Sequence, residues 1–155
     1  MIHQGVLGAI ASSVSLVTND TSAAGQTYTA SQSSNGGNVG TFANLTDNSG
    51  NTGASTFGGS TQFLRATFAQ PVTVSVVTLG GGNLPSWGGV AAYLNGGSVQ
   101  YSDNSVDWTT AFVISGVTDS GVDQFKAFPL SPPITAQHWR IFITSFLSTT
   151  EFRFT

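Results

Sequence analysis

Few side chains in this 155-residue chain are able to carry covalent or proton-transfer chemistry: two histidines, seven acids, four Lys and Arg, and no cysteine. Catalysis needs a poised acid, base or nucleophile. His3 lies near the N-terminus, and His138 falls in an alternating run, where it reads as a strand-face residue with a satisfied hydrogen bond. Asp103 and Asp107 share a four-residue spacing with Asp119 and Asp123. That spacing would suit a glycosidase carboxylate pair, but turns also use Asp to bond their own backbone, and the turn reading is preferred. No nucleophile elbow of the Gly-x-Ser-x-Gly type and no phosphate-cradling P-loop occurs. Without cysteine there is neither a disulfide framework nor a thiolate metal site. Asn19-Asp20-Thr21 and Asn44-Leu45-Thr46 match the glycosylation sequon, as chance provides in a chain so rich in Asn and Thr. No catalytic residue is assigned, and the protein is read as a non-enzyme.

Charge excludes further classes. The formal net charge is −3, and the cations are Lys126, Arg65, Arg140 and Arg153, scattered along the chain. Nucleic-acid binding needs a basic patch to neutralise phosphates, so that partner is rejected. No apolar run approaches the roughly 20 residues that span a bilayer, so membrane insertion is rejected too. Charged residues make up 7% of the chain, against about a quarter in ordinary globular domains. Gly, Ser, Thr and Asn take their place, yet the apolar residues are plentiful and patterned. Such a chain reads as β-rich with many turns.

The elements follow from period-2 alternation. In Ser98–Thr110, Val99 and Tyr101 alternate with polar neighbours, Asp103-Asn104-Ser105 supplies a turn, and Trp108, Phe112 and Ile114 begin a second apolar run. This predicts a β-hairpin with an aromatic on each arm. Leu64, Ala66 and Phe68 share one face, with Phe63, Arg65 and Thr67 on the other. Pro71 is expected to mark a turn, because it lacks the N–H that a ladder needs, and Val72, Val74 and Val76 continue on the next strand. Val122–Phe128 reads as a strand ended by prolines. Trp139, Ile141 and Ile143 face one way, and His138, Arg140 and Phe142 the other. Glu151-Phe152-Arg153-Phe154 alternates as a closing strand. Gly80–Gly97 is a Gly-rich excursion holding the large apolar residues Leu84, Trp87, Tyr93 and Leu94.

The N-terminal region differs. A strand is plausible near 13–18, and Asn19–Asn38 is dominated by Ser, Thr, Gly, Asn and Gln. Two readings stand for it, a loosely ordered leader and an arm that docks on a neighbouring subunit. Gly5–Ala11 is a short apolar run without a preceding Lys or Arg, so a secretory signal is not expected. A chain that keeps Met1 and works outside cells would suit a virus particle released by lysis.

Several of these segments resemble discoidin domains, also called coagulation-factor type C domains, of the galactose-binding-like group. Gln100–Thr109 resembles the family's "VQYSDDGVNWT" segment, Gln62–Val74 its "QWLQVDLGKPRTV" strand pair, and Ser131–Ile141 its strand near the C-terminus. Ala43–Thr52 resembles the loop that wraps a structural Ca²⁺ in that family, keeping the spacing of Asp47 and Thr52 but with Asn48 and Asn51 at the family's glycine and second acid. The resemblance implies a Ca²⁺ site of Asp47, Thr52, Glu151 and the backbone near Leu45. Ca²⁺ wants several oxygens with enough negative charge, and a turn-rich loop closed by its own hydrogen bonds is the competing reading. The family's inter-strand loops at one end form ligand-binding spikes, which makes Trp87 and Tyr93 the candidate glycan-binding aromatics. A core cap or subunit contact at Trp87 remains the alternative.

The resemblance, from about Val39 to Thr155, implies an all-β, discoidin-like jelly-roll sandwich of two antiparallel sheets, spanning 39–155 after an N-terminal arm at 1–38. The expected core is Leu64, Phe68, Val74, Val76, Val99, Tyr101, Trp108, Trp139, Ile141 and Phe152. The first functional expectation is a structural part of a virus particle, a bacteriophage tail, baseplate or head-decoration protein assembling with its own copies and other virion proteins. The alternative is a free carbohydrate-binding module, with a cell-surface glycan as partner.

Overall fold

The computed structural model describes residues 15–16, 28–33, 45–46, 49–50, 52–56, 61–84, 88–90, 93–121 and 124–155. Among them the elements are β1 (Ser15–Leu16), β2 (Tyr28–Gln32), β3 (Ala54–Thr56), β4 (Gln62–Gly80), β5 (Asn83–Leu84), β6 (Gly88–Gly89), β7 (Ser98–Ser102), β8 (Thr109–Val113), β9 (Phe125–Ile143), β10 (Leu147–Thr149) and β11 (Phe152–Phe154). Every pairing is antiparallel. The main network runs β1-β2-β4-β9-β7-β8, with β11 joined to β4.

Two 19-residue strands, β4 and β9, organise the sandwich. Their first paired block joins Gln62–Thr67 to His138–Ile143, and the last joins Val76–Gly80 to Phe125–Pro129. Between these blocks the register slips twice, after Thr67 and after Val74. Bulges bend a strand and raise its twist, so the pair folds over and serves both layers. Gln137 holds the corner: its Nε2 donates to the carbonyls of Phe68 at 3.1 Å and Ala69 at 3.4 Å. The expected turn at Pro71 is therefore corrected. Pro71 is exposed inside β4, in the unpaired stretch between Thr67 and Val72, where its missing N–H breaks no ladder bond. Likewise β9 continues through Pro129, Pro132 and Pro133 instead of ending there. Pro132 and Pro133 fall in its own unpaired stretch, and the Ser131–Pro132 peptide is cis.

The core lies between the two layers. Leu64, Ala66, Phe68, Val74, Val99, Trp139, Ile141 and Phe152 are buried as alternation predicts. Tyr28 was missed. Its ring meets Phe68 and Phe154 edge-on at 5.6 Å, and its hydroxyl donates to the Phe152 carbonyl at 2.6 Å. That bond ties β2 in one layer to β11 in the other. The boundary drawn at 38/39 thus moves upstream, because Tyr28 and Ala30 are core residues and β2 pairs with β4 along its length. The remainder of the 1–38 arm lies outside the described residues apart from Ser15–Leu16, which pairs with β2. Three expected core residues are only half-buried: Val76, Tyr101 and Trp108. Trp108 sits on the outer face, for a reason given below. Among the described residues no helix is long and apolar enough to cross a membrane.

Candidate ligand-binding site

Loops from distant parts of the chain meet at one end of the sandwich. Tyr93 stands there, 36% exposed, with Val90 and Leu94 buried beneath it. Its ring packs edge-on against Phe146 at 4.7 Å. Asn95 clamps this loop to the next: Nδ2 donates to the Val117 carbonyl at 2.9 Å, and the Val117 N–H donates to Oδ1 at 3.1 Å. Gly96 follows with φ +91°, a conformation that favours glycine. Gly81 runs against the same neighbour, where a Cβ would meet the Thr118 carbonyl at 2.5 Å and Val117 Cγ1 at 2.7 Å. An aromatic pair is thus presented on loops held by side-chain and backbone bonds. Trp87, the other candidate aromatic, lies outside the described residues.

Beside this cluster lies Glu151, fully buried at the entrance to β11. Its Oε1 accepts the Ser49 N–H at 3.2 Å, and Oε2 lies 3.3 Å from Arg153 Nε. Leu45 and Thr46 are buried in the same loop region, and Thr52 is half-buried. The Thr46 hydroxyl is buried without a hydrogen-bond partner. Asp47 lies outside the described residues. Among the described residues no group of three acids or histidines is placed to hold a metal. Oxygen donors are nonetheless present: one buried carboxylate and one buried hydroxyl whose lone pairs are unused.

A third feature was not anticipated. On the outer face of the main layer, Arg65 of β4 pairs across the ladder with Arg140 of β9, and Arg140 with Gln100 of β7. Trp108 lies over both guanidiniums, 4.1 Å from Arg140 and 5.2 Å from Arg65 to the ring centroid. Phe142 flanks Arg140 at 4.5 Å and Phe63 flanks Arg65 at 5.2 Å. This is why Trp108 leaves the core: its indole covers two cations and its Nε1 donates to the Ser105 carbonyl at 3.2 Å. Burial, then the neighbouring Arg65, push the Arg140 guanidinium down to about 10, and burial lowers Arg65. His138 is pulled below its ordinary range by burial and by Arg65, partly offset by Asp103. Thr67 Oγ1 lies 3.2 Å from its Nδ1.

Of the two hairpin acids, Asp107 is bonded within the turn. Asn104 Oδ1 accepts from the Val106 and Asp107 N–H groups, and its Nδ2 donates to Asp107 Oδ2 at 2.7 Å. An open groove of about 460 Å³ runs along the sandwich edge between Tyr101, Phe112, Leu130 and Ile134.

Comparison with known proteins agrees with this architecture. Residues 27–153 match the F5/8 type C domain model, and the chain belongs to that family. No curated protein matches it in sequence. Among solved structures it is similar to CpGH89CBM32-5 from Clostridium perfringens, solved with GalNAc-β-1,3-galactose (17% identity, TM-score 0.62, 82% of this chain and 94% of that one). It is also similar to chitosan-binding module 1 of a chitosanase/glucanase from Paenibacillus sp. IK-5 (21%, 0.61, 83% and 94%). A third is an F-lectin from striped bass, Morone saxatilis, serum (16%, 0.67, 82% of this chain and 46% of that one). These relatives are binding modules and a lectin, and none points to a bacteriophage, so the virus-particle reading yields its first place to the alternative.

Proposed function

We propose that the protein is a non-catalytic glycan-binding module whose ligand rests on the loop end bearing Tyr93. The observation that carries this is the Tyr93–Phe146 pair, a partly exposed aromatic surface on clamped loops. Sugar C–H faces pack on aromatic rings, and a preformed surface loses little freedom on binding. The solved relatives whose names state sugar ligands support the same reading. A glycan array with the wild type, Tyr93→Ala and Trp87→Ala tests it. Binding should weaken about tenfold or more for Tyr93→Ala, with no hydrolysis product. Binding untouched by either substitution moves the site, with the Tyr101–Phe112 groove as the next surface to probe. No binding to any glycan overturns the reading.

The same loop end is proposed to hold a structural Ca²⁺ through Asp47, Thr52, Glu151 and backbone oxygens near Leu45. The buried Glu151 carboxylate and the orphaned Thr46 hydroxyl support it, since Ca²⁺ takes oxygen ligands. The ion would cross-link the 45–53 loop to the start of β11. A ligand at a hundredfold excess over its Kd stabilises by about 2.7 kcal/mol, or about 5–10 °C in Tm for a chain of this size. Calcium titration followed by melting should show a rise of that order, reversed by chelator. An unchanged midpoint would leave the loop a turn-rich closure.

A further inference from the structure

The outer face of the main layer carries two cations where a solvated sheet needs none. Arg65 and Arg140 are directly opposite neighbours across the ladder, where like charges repel. Among the described residues neither forms an ion pair. Arg65 Nε is buried without a hydrogen-bond partner, and Arg140 spends its Nε on Gln100 Oε1 at 2.8 Å. The stack of Phe63, Arg65, Trp108, Arg140 and Phe142 fixes the guanidinium planes. A structural ladder alone would be served by one cation or by a neighbouring acid. Two adjacent guanidiniums without an ion-pair partner among the described residues, with Asp103 acting on nearby His138 as the neighbouring acid, instead offer a set of N–H donors matched to the oxygens of a planar or tetrahedral anion.

We infer that the Arg65–Arg140 pair is a second binding site, for the anionic group of an acidic glycan, a uronate carboxylate or a sulfate ester. The inference rests on the glycan-binding reading for the kind of molecule that carries the anion, but its site is separate from the Tyr93 loops. A chain held at both places would bind its neutral part at the loop end and its charged group on the sheet face.

Three oligosaccharides of matched length test this with the full chain by calorimetry: a neutral galactan fragment, a galacturonate oligomer and a sulfated galactan fragment. At low salt at least one anionic fragment should bind about tenfold more tightly than the neutral one, and raising salt from about 0.05 to about 0.5 M should erase most of that preference. The two anionic arms tell carboxylate from sulfate. Arg65→Gln with Arg140→Gln should remove the preference, and the Trp108 indole N–H resonance should move on titration in the wild type alone. Should the double variant not fold, Arg140→Lys keeps the charge but loses the planar fork, and is expected to keep the fold while losing most of the preference. An anionic preference that is absent, or that survives both substitutions, overturns the inference while leaving glycan binding at Tyr93 standing. Arginine-dependent binding of the charged fragments with none of the neutral one supports it while sinking the Tyr93 reading. No binding of any fragment overturns both.

Discussion

Trp139→Ala destabilises the fold by about 3–5 kcal/mol, the range for truncating a large core aromatic. Trp139 is fully buried, pairing across the ladder with Ala66 on one side and Tyr101 on the other. Its ring lies 5.6 Å from Phe154 of the opposite layer and 5.7 Å from Tyr101. Removing it opens a cavity where both layers meet, and the flanking β-ladders keep the walls from collapsing onto it. The indole Nε1 is buried without a partner, an unsatisfied donor that costs about 1–3 kcal/mol. Trp139→Phe relieves that cost while keeping most of the ring, so its loss should stay below about 2 kcal/mol. Urea unfolding of the two variants checks the pair. An unchanged midpoint for Trp139→Ala would remove this side chain from the core.

Glu151→Ala is expected to cost about 3 kcal/mol, at the low end for breaking a buried ion pair. The low end applies because Arg153 is 24% exposed and keeps the Phe125 ring at 5.3 Å as a neighbour, so its charge is not stranded. The Ser49 N–H loses its acceptor as well. Glu151→Gln keeps an acceptor and nearly the same volume, so most of the stability should return. Only the carboxylate charge is then missing, and the melting response to Ca²⁺ should vanish in both variants. A glutamine variant that still responds to Ca²⁺ would take Glu151 out of the metal proposal.

Alternation made much of the sandwich legible in advance. Leu64, Ala66 and Phe68, and Trp139, Ile141 and Ile143, face inward as their spacing predicts, because a strand buried on one face must alternate. The Ser98–Thr110 hairpin also stands where its turn residues placed it. Pro71, Pro132 and Pro133 misled because proline forbids a ladder bond only where the ladder continues, and all three fall in stretches where β4 and β9 are unpaired, while Pro129 stands at the last paired position before the slip, opposite Val76. Tyr28 was hidden by its Ser- and Thr-rich surroundings. Strands β3 and β10 were hidden differently: Ser55, Thr56, Ser148 and Thr149 are buried although polar, so hydropathy gives no sign of them. The Arg65–Arg140 stack was illegible for a geometric reason. Each strand carries one arginine at an outward-facing position, and only the register between residues far apart in sequence sets them side by side. Of the candidate site, Tyr93 and Glu151 could be placed, whereas Asp47 and Trp87 fall outside the described residues.

The folding-over of β4 and β9 has a bearing on how the molecule comes apart. Most two-layer sandwiches can be pictured as leaves joined by loops, so that one leaf frays while the other holds. Here each long strand belongs to both leaves, and the Tyr28–Phe152 bond pins them again across the core. Peeling either leaf drags the same two backbones out of the other. The amides of β4 and β9 therefore open together, in the whole-molecule event that sets the slowest exchange with solvent. Among the described residues the short strands β5 and β6 form a two-stranded sheet apart from the main network, so fewer ladder bonds oppose their opening. Strand connectivity thus makes the two long strands the part of the molecule that opens last.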